Sequence, residues 1–370
     1  MYFVDITVTE PFSILIKPAS FDCNLRCSYC FYLPKETLFG PPPHRMTTDT
    51  LEAVTRAYLA VPMPEYLFCW QGGEPTLMGI PFFQNAVRLQ RLHRPRRAIV
   101  RNALQTNGTL LDDHWADFLH REQFLVGLSL DGPPALHDAC RRRPDGAGSH
   151  GLALRGLRTL QQHRVEHNVL TLVSKANQDA PEDIYHYLKS LGVTFHQYIE
   201  CADRDPDGNR LPYALEPGKW GEFLCRLFDA WYPNDTRTVS IRLFDAILNR
   251  LVTGQTTLCA MAASCCAYLV VEHDGSVYPC DFCVSEAARL GNVRQTRLTT
   301  LRNHPHYRDW GRQKAPCSPR CHACRWLPLC LGDCQRHRAP DGRSILCDDW
   351  QLFFQHTIER FENLAATLST

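Results

Sequence analysis

Residues 23–32 read Cys-Asn-Leu-Arg-Cys-Ser-Tyr-Cys-Phe-Tyr, which sets three cysteines in a C-x3-C-x2-C arrangement. A structural zinc ion or a ferredoxin-type cluster takes four protein ligands. The next cysteine along the chain, Cys69, lies far outside this loop. The spacing therefore predicts a 4Fe–4S cluster held at three corners by Cys23, Cys27 and Cys30, with one iron open to a small molecule. A zinc loop or a chance grouping is the alternative.

The composition favours metal over disulfides. The chain has 18 cysteines among 370 residues, and its first residues, Met1-Tyr-Phe-Val-Asp-Ile, lack the basic flank and apolar run of an export signal. We therefore expect a cytoplasmic protein whose cysteines bind metal in a reducing compartment. Lys plus Arg (40) nearly balances Asp plus Glu (39), so we expect neither a nucleic acid nor a membrane as a partner.

Strand-like and helix-like segments alternate in the first half of the chain. A buried strand over residues 12–18 runs into the cysteine loop, and a helix is predicted after Thr47 and Thr48. Further strands are predicted at residues 66–70, 98–105, 124–130, 168–173 and 194–200, with helices between them. This α/β alternation predicts a parallel sheet of right-handed βα units. We expect a partial, TIM-like (β/α)6 barrel over residues 1–234, active at its C-terminal strand ends, and a smaller domain over 235–370.

The smaller domain is rich in cysteine. Residues 268–279 read as a β-hairpin around Asp274-Gly275. Eight thiolates are enough for two more 4Fe–4S clusters. A zinc ribbon that uses the C-x2-C-x5-C-x3-C run is the alternative, but it leaves the other four cysteines without a role. This pattern resembles the signature of the SPASM domain, and the resemblance implies these eight as ligands: Cys259, Cys265, Cys280, Cys321, Cys324, Cys330, Cys334 and Cys347.

The first cysteine loop, with an aromatic residue before its third cysteine, resembles the signature of the radical S-adenosylmethionine (radical SAM) enzymes. The resemblance implies that the open iron chelates S-adenosylmethionine, and that an electron from the cluster releases a 5′-deoxyadenosyl radical. The Gly-Gly-Glu segment would meet the methionine amino group, and a serine and an arginine would hold the ribose and carboxylate. The implied cofactor-binding residues are Tyr29, Gly72, Gly73, Glu74, Ser129 and Arg155.

The second cysteine pattern resembles the SPASM domain, a β-hairpin plus helices that holds two auxiliary 4Fe–4S clusters. The resemblance assigns four cysteines to each cluster. Cys266 and Cys317 stand near assigned ligands, so a swap with a neighbour stays open. The nearer cluster would take Cys259, Cys265, Cys280 and Cys334, and the farther one Cys321, Cys324, Cys330 and Cys347.

Motifs along nearly the whole chain, including Gln71-Gly-Gly-Glu-Pro-Thr-Leu77 and Asp274-Gly-Ser-Val-Tyr-Pro-Cys-Asp-Phe282, resemble the anaerobic sulfatase-maturating enzymes. The resemblance implies oxidation of a Cys or Ser side chain to Cα-formylglycine (3-oxoalanine). The substrate would be an unfolded sulfatase segment of the C/S-x-P/A-x-R kind. The radical would take the Cβ hydrogen and Asp281 the thiol or hydroxyl proton, with Tyr32 and Gln71 facing the target. The auxiliary clusters would accept the electron, and an external donor such as flavodoxin or ferredoxin would supply electrons.

One departure from this family is visible: similar enzymes tend to read Cys-Asp-Phe-Tyr-Val where this chain has Cys280-Asp-Phe-Cys283-Val. The additional thiol is either a silent substitution, a change in the substrate pocket or a competitor for iron. Two other functions stay open. One is a radical SAM enzyme that forms thioether or C–C crosslinks in a short peptide, although the strand near residue 12 leaves no room for a leader-binding domain. The other is a metal scaffold without catalysis.

Overall fold

The computed structural model describes residues 11–205, 207–314 and 318–368, and a single sheet runs through it. Its strands, in chain order, are β1 (Ser13–Lys17), β2 (Glu65–Trp70), β3 (Ile99–Thr106), β4 (Leu125–Ser129), β5 (His167–Val173), β6 (Phe195–Glu200), β7 (Ser240–Ile241), β8 (Tyr268–Glu272), β9 (Ser276–Tyr278) and β10 (Gly291–Asn292). The spatial order is β10-β9-β8-β1-β2-β3-β4-β5-β6-β7.

Helices connect the parallel strands and cover the C-terminal part. They are α1 (Glu36–Phe39), α2 (Thr48–Leu59), α3 (Ile80–His93), α4 (Asp113–Arg121), α5 (Pro134–Cys140), α6 (His150–Gln162), α7 (Pro181–Ser190), α8 (Lys219–Trp231), α9 (Arg242–Thr253), α10 (Leu298–Arg302), α11 (Pro305–Arg312), α12 (Pro319–His322), α13 (Leu327–Cys330) and α14 (Cys347–Leu368). Within the described ranges, no helix is long and apolar enough to cross a bilayer.

Strands β1 to β7 are parallel and neighbour one another in chain order, as right-handed βα units require. Alternate side chains along β2 are buried: those of Tyr66, Phe68 and Trp70 are completely buried. The sheet is open, because β7 and β10 lie at opposite ends of its strand order. The predicted partial α/β barrel is therefore confirmed.

Local sequence signals set several helix starts. The Thr47 hydroxyl accepts a hydrogen bond from the Thr50 amide at 3.2 Å and caps α2, and the Asp112 carboxylate accepts one from the Trp115 amide at 2.9 Å and caps α4. Each cap satisfies a backbone donor that the first helical turn leaves open. The chain therefore leaves each strand and enters the next helix at a defined residue, which fixes the loops at the strand ends.

The cysteine-rich half continues the barrel sheet. Strand β8 pairs in parallel with β1, and β9 and β10 follow it in antiparallel order. The β1–β8 register places Lys17 opposite Glu272. A ten-strand sheet therefore crosses the expected boundary at residue 234, and the turn after β9 is carried to the mouth of the barrel.

The last helix closes the fold against the barrel. Helix α14 packs on α8 and α9 through aromatic rings, with the Phe228 and Phe361 centroids 4.7 Å apart. At its N-terminal turn, the Asp349 carboxylate accepts a hydrogen bond from the Gly221 amide at 2.7 Å. A Cβ at Gly221 would meet the Asp349 backbone at 2.8 Å, so glycine permits this close approach. One hydrophobic core joins both halves of the chain.

Candidate active site and cysteine cavities

A cavity opens at the C-terminal ends of the parallel strands, where a parallel barrel places its chemistry. It encloses about 1160 Å³ measured to its open mouth. Both halves of the chain line it, because Asp281, Phe282 and Arg336 face the strand ends. The predicted site residues that line the cavity are Cys23, Cys27, Cys30, Tyr29, Tyr32, Gln71, Gly72, Gly73, Ser129 and Asp281.

The three-cysteine loop after β1 is held by its backbone. The Arg26 amide donates to the Arg142 carbonyl at 2.7 Å, and the Ser28 amide donates to the Cys140 carbonyl at 3.0 Å. Burial raises the pKa of Cys23 to about 12 and that of Cys27 to about 11. At neutral pH these thiols keep their protons unless a metal replaces them. A buried set of three thiols at a cavity wall fits a metal cluster with one open position.

The Gly-Gly-Glu turn after β2 packs against the backbone that leads into this loop. The amide of Gly73 donates to the Ser20 carbonyl at 2.8 Å, and that of Glu74 donates to the Asp22 carbonyl at 2.7 Å. A Cβ at Gly73 would lie 2.0 Å from the Asp22 oxygen, so no side chain fits there. The two glycines bring the turn onto the cysteine loop and leave its backbone facing the cavity.

The Glu74 side chain points away from the cavity. Its carboxylate is completely buried and accepts hydrogen bonds from Thr76, from the Thr106 hydroxyl at 2.8 Å and from the Asn107 amide at 2.8 Å. These bonds join the turn after β2 to the end of β3. The side chain of Glu74 therefore fixes the loop that forms the cavity wall, and the neighbouring backbone faces the cavity.

A charged group lies beneath the other side of the cavity. The buried Asp131 carboxylate accepts hydrogen bonds from the Tyr29 hydroxyl and from Nε of Arg141 at 2.9 Å. The Arg141 guanidinium also lies 5.5 Å from the centroid of the Tyr29 ring. Arg155, the arginine expected here, is exposed on α6 and does not line the cavity. Arg141 lines it instead, because α5 and the loop after it turn back over the end of β4.

The Asp281 carboxylate is the centre of the third group. Asp281 is 5% exposed and follows Cys280 in the turn after β9. Its Oδ2 accepts hydrogen bonds from the Tyr32 hydroxyl at 2.5 Å and from Nε2 of Gln71 at 3.0 Å. Its Oδ1 forms an ion pair with Nζ of Lys17. Three predicted residues far apart in sequence are thus brought into direct contact at one face of the cavity.

Lys17 was not identified from the sequence as a site residue. Its ammonium is 1% exposed, lies 3.5 Å from Oε1 of Glu272 and 4.5 Å from the centroid of the Tyr32 ring. Burial lowers the pKa of Lys17, but the carboxylates of Asp281 and Glu272 outweigh burial and raise the pKa above its ordinary value. The lysine therefore stays charged and compensates two buried carboxylates. A lysine at the end of an otherwise apolar strand was the available signal.

Two further cavities are lined by cysteines of the C-terminal half. Three of the four cysteines of the zinc-ribbon alternative, Cys321, Cys324 and Cys330, line one cavity, whereas the fourth, Cys334, lines the other. The four cysteines therefore do not surround a single cavity. Burial raises the pKa of Cys330 to about 12, so this thiol also needs a metal to lose its proton at neutral pH. The first cavity is lined by Cys259, Cys265, Cys280, Cys283 and Cys334, and the second by Cys321, Cys324, Cys330 and Cys347.

The first cysteine cavity adjoins the strand-end cavity. Phe282 and Arg336 line both, and the Arg336 guanidinium lies 3.9 Å from the centroid of the Phe282 ring. Cys266 is turned from the cavity toward the Tyr307 carbonyl, 3.9 Å from its sulfur. Cys317 lies outside the described residues. The first cavity is therefore the one next to Asp281, and among the described residues the second cavity shares no lining residue with the first or with the strand-end cavity.

Comparisons with known proteins agree with this arrangement. Residues 18–188 match the radical SAM superfamily, and residues 264–325 match an iron–sulfur cluster-binding domain, SPASM. The chain is 36% identical over 364 residues to the cysteine-type anaerobic sulfatase-maturating enzyme of Clostridium perfringens, covering 96% of this chain and 98% of that protein. It is 32% identical over 371 residues to the serine-type enzyme of Bacteroides thetaiotaomicron, covering 94% and 89%.

Solved structures of one such enzyme, anSMEcpe, share the whole fold. The structure with bound AdoMet superposes with a TM-score of 0.90 at 35% identity, covering 96% of this chain and 100% of that chain. The structure with AdoMet and the Cp18Cys peptide gives the same TM-score and identity, covering 96% and 99%. Because the similarity spans nearly the whole of this chain and of its relatives, the chain belongs to the anaerobic sulfatase-maturating enzymes, radical SAM proteins that use S-adenosylmethionine and three 4Fe–4S clusters.

Proposed function

We propose that this protein oxidises a cysteine or serine side chain of a sulfatase polypeptide to Cα-formylglycine. The observation that carries the proposal is the Asp281 carboxylate, held by Lys17, Tyr32 and Gln71 at the wall of a cavity that also holds the three-cysteine loop. A proton acceptor and a radical source would thus face the same space. Relatives of both the cysteine and serine types support either target residue.

When bound, S-adenosylmethionine and the clusters supply a 5′-deoxyadenosyl radical and an acceptor for one electron. The chain's own residues supply the positions. Cys23, Cys27 and Cys30 would hold the cluster next to the cofactor. Tyr29, Gly72, Gly73 and Ser129 line the same cavity and would contact S-adenosylmethionine, with Arg141 in the place expected for Arg155. Glu74 would act through the loop that it fixes.

Asp281 would take the proton from the target thiol or hydroxyl. A general base must lie within hydrogen-bond reach of the proton that it removes, and Asp281 faces the cavity with both oxygens in defined contacts. Tyr32 and Gln71 hold Oδ2, and Lys17 holds Oδ1. These contacts orient the carboxylate before the substrate arrives, so little reorganisation is needed when the proton moves.

The two cysteine cavities support the assignment of eight auxiliary-cluster ligands. The nearer cluster would be held by Cys259, Cys265, Cys280 and Cys334. The cavity that would hold it adjoins the strand-end cavity at Phe282 and Arg336, so an electron from the target residue would reach this cluster first. The farther cluster would be held by Cys321, Cys324, Cys330 and Cys347.

The partners that we propose follow from the reaction. An unfolded segment with a C/S-x-P/A-x-R motif would enter through the open mouth, as the peptide-bound relative supports. A small electron carrier such as flavodoxin or ferredoxin would reduce the enzyme. The side chains of Arg320 and Arg325 are exposed beside the second cysteine cavity, and their positive charge suits an electron carrier with an acidic surface. Because this chemistry needs a reducing compartment, we place the protein in the cytoplasm. We keep residues 1–234 and 235–370 as its two domains.

An anaerobic assay tests the proposal. Reconstituted, reduced enzyme is incubated with S-adenosylmethionine and three synthetic peptides that contain Cys-x-Pro-x-Arg, Ser-x-Pro-x-Arg or Ala-x-Pro-x-Arg. Mass spectrometry reads the peptide, and chromatography reads 5′-deoxyadenosine. We expect an aldehyde from the cysteine or serine peptide and none from the alanine peptide. Deoxyadenosine without any peptide product would overturn the substrate assignment and keep the radical chemistry.

Two variants separate the role of the base from general damage. Asp281→Asn keeps the size of the side chain and removes its basicity, so we expect aldehyde formation to fall at least about 100-fold. Cleavage of S-adenosylmethionine should persist. Glu286→Gln is the matched control, because Glu286 is exposed in the next short 3-10 helix. Full aldehyde formation by Asp281→Asn would remove Asp281 from this role.

A further inference from the structure

Five thiols, one more than a 4Fe–4S cluster needs, line the cavity next to the proposed base. Four protein thiolates complete such a cluster, and the four assigned to it come from separate segments of the chain. The fifth, Cys283, lines the same cavity in the turn after β9. The mechanism described above gives it no role.

Cys283 is well placed for ligation. It stands in a C-x2-C spacing with Cys280, a spacing that places two ligands on one cluster in many metal sites. Its backbone amide donates to the Cys280 carbonyl at 3.0 Å, which places both cysteines in one turn. The side chain of Trp310 lines the same cavity. The thiol is therefore held at the cavity, next to an assigned ligand.

Cys259 is the most exposed of the four assigned ligands. It is the exposed one among the cysteines of the described residues, and it lies in a short 3-10 turn that precedes β8. Its segment is attached through the buried Lys314, whose ammonium donates to the carbonyls of Ala260 and Ala262. By contrast, Cys265 lies three residues before β8 and its amide donates to the Gly311 carbonyl at 3.2 Å, and the backbone amide of Cys283 is bonded within the same turn as Cys280.

We propose that Cys283 is an alternative ligand of the nearer cluster, able to replace Cys259 while Cys265, Cys280 and Cys334 stay bound. In the exchange, the Fe–S bond to Cys259 breaks and a bond to Cys283 forms. The proton of the Cys283 thiol passes to the sulfur of Cys259, so charge and oxidation state do not change. This inference rests on the cluster assignment in the proposed function.

Iron content tests the exchange. The variants Cys259→Ala, Cys283→Ala and the double variant are reconstituted anaerobically, and iron and acid-labile sulfide are counted per chain. We expect each single variant to keep the wild-type iron content and the double variant to lose four iron atoms. Cys334→Ala, for which no replacement is proposed, should lose four by itself. Cys225→Ala, in helix α8 and away from the cavities, controls for the loss of an unrelated thiol.

Low-temperature electron paramagnetic resonance of the reduced samples gives a second reading. Cys259→Ala should change the signal of one auxiliary cluster without removing it, whereas Cys283→Ala should leave the wild-type spectrum. Loss of four iron atoms from Cys259→Ala alone would overturn the exchange, as would a double variant with full iron. If Cys334→Ala kept all its iron, Cys283 would be able to replace Cys334, and the specific exchange with Cys259 would be overturned. Wild-type enzyme with full iron that leaves every peptide unchanged would refute the proposed function and leave the exchange standing.

Discussion

Replacement of Lys17 by methionine should destabilise the protein and disable the site together. The ammonium of Lys17 faces the carboxylates of Asp281 and Glu272, and all three side chains are at least 90% buried. In the described part of the chain, no other lysine or arginine forms an ion pair with either carboxylate. Methionine fills a similar volume but leaves two buried carboxylates without a cation.

The magnitude follows from burial. Removal of one partner of a buried ion pair costs about 3–5 kcal/mol, because the remaining charge stays desolvated. For 370 residues, an unfolding entropy of about 2.1 cal/mol/K per residue gives about 0.8 kcal/mol/K. We therefore expect the apparent melting temperature to fall by about 4–6 °C. Lys175→Met is the matched control: Lys175 pairs with Glu216 at 3.0 Å, but the two side chains are 50% and 37% exposed. Such a pair contributes about 0.2–1 kcal/mol, so the control should shift by about 1 °C.

The assay is anaerobic thermal melting of reconstituted protein, followed by circular dichroism, with iron content measured for each sample. The double variant Lys17→Met/Glu272→Gln should recover part of the loss, because it removes one of the two unpaired charges. Aldehyde formation should stay low in both, since Asp281 loses the contact that orients it. If Lys17→Met melts no lower than Lys175→Met, the buried charge does not have the cost assigned to it, and the argument fails.

Three further predictions concern other parts of the cavity. Arg141→Gln should weaken S-adenosylmethionine binding at least about 10-fold in equilibrium dialysis, because Asp131 loses its cation. Arg155→Gln should not weaken binding. If Arg155→Gln weakened binding and Arg141→Gln did not, Arg155 would be the cofactor-binding arginine, as expected from the sequence. Gly73→Ala should lose four iron atoms per chain, because the added Cβ would displace the backbone before the cysteine loop. In the control Gly151→Ala, the added Cβ meets no atom within 4 Å, so the iron content should not change. Burial lowers the pKa of His137 to about 4, so the stability that its neutral ring provides is complete above about pH 6.5 and is lost as the pH falls toward 4. In urea titrations, the free energy of unfolding of His137→Gln should therefore depend less on pH than that of the wild type. An unchanged pH dependence would contradict this account.

The alternating strands and helices were predictable because each is a local pattern. The expected strand over residues 168–173 is observed as His167–Val173, and the one expected over residues 66–70 is observed as Glu65–Trp70. Burial on alternate sides of a strand and apolar residues every third or fourth position in a helix leave a direct trace in the sequence. The strand-end motifs follow from the same pattern, because the ends of parallel strands meet on one side of a sheet.

The contacts that complete the site left no such trace. The choice between Arg141 and Arg155 depends on how α5 and its loop fold back over β4, and the sequence around either arginine does not show this. The role of Lys17 depends on the parallel pairing of β1 with β8, which joins residues more than 250 positions apart. A sequence pattern shows that Lys17 ends an apolar strand, but only the register shows that Glu272 lies opposite.

This pairing also explains why the two halves act as one unit. The expected boundary at residue 234 is crossed by the sheet, so the turn that carries Cys280 and Asp281 is positioned by β1, the strand that leads into the three-cysteine loop. A shift of β8 against β1 would move Lys17 away from Glu272 and would misplace Asp281 relative to Tyr32 and Gln71. The proposed base, the proposed ligands of the nearer cluster and the three-cysteine loop therefore share one structural reference, because the register of a single strand pair sets their relative geometry.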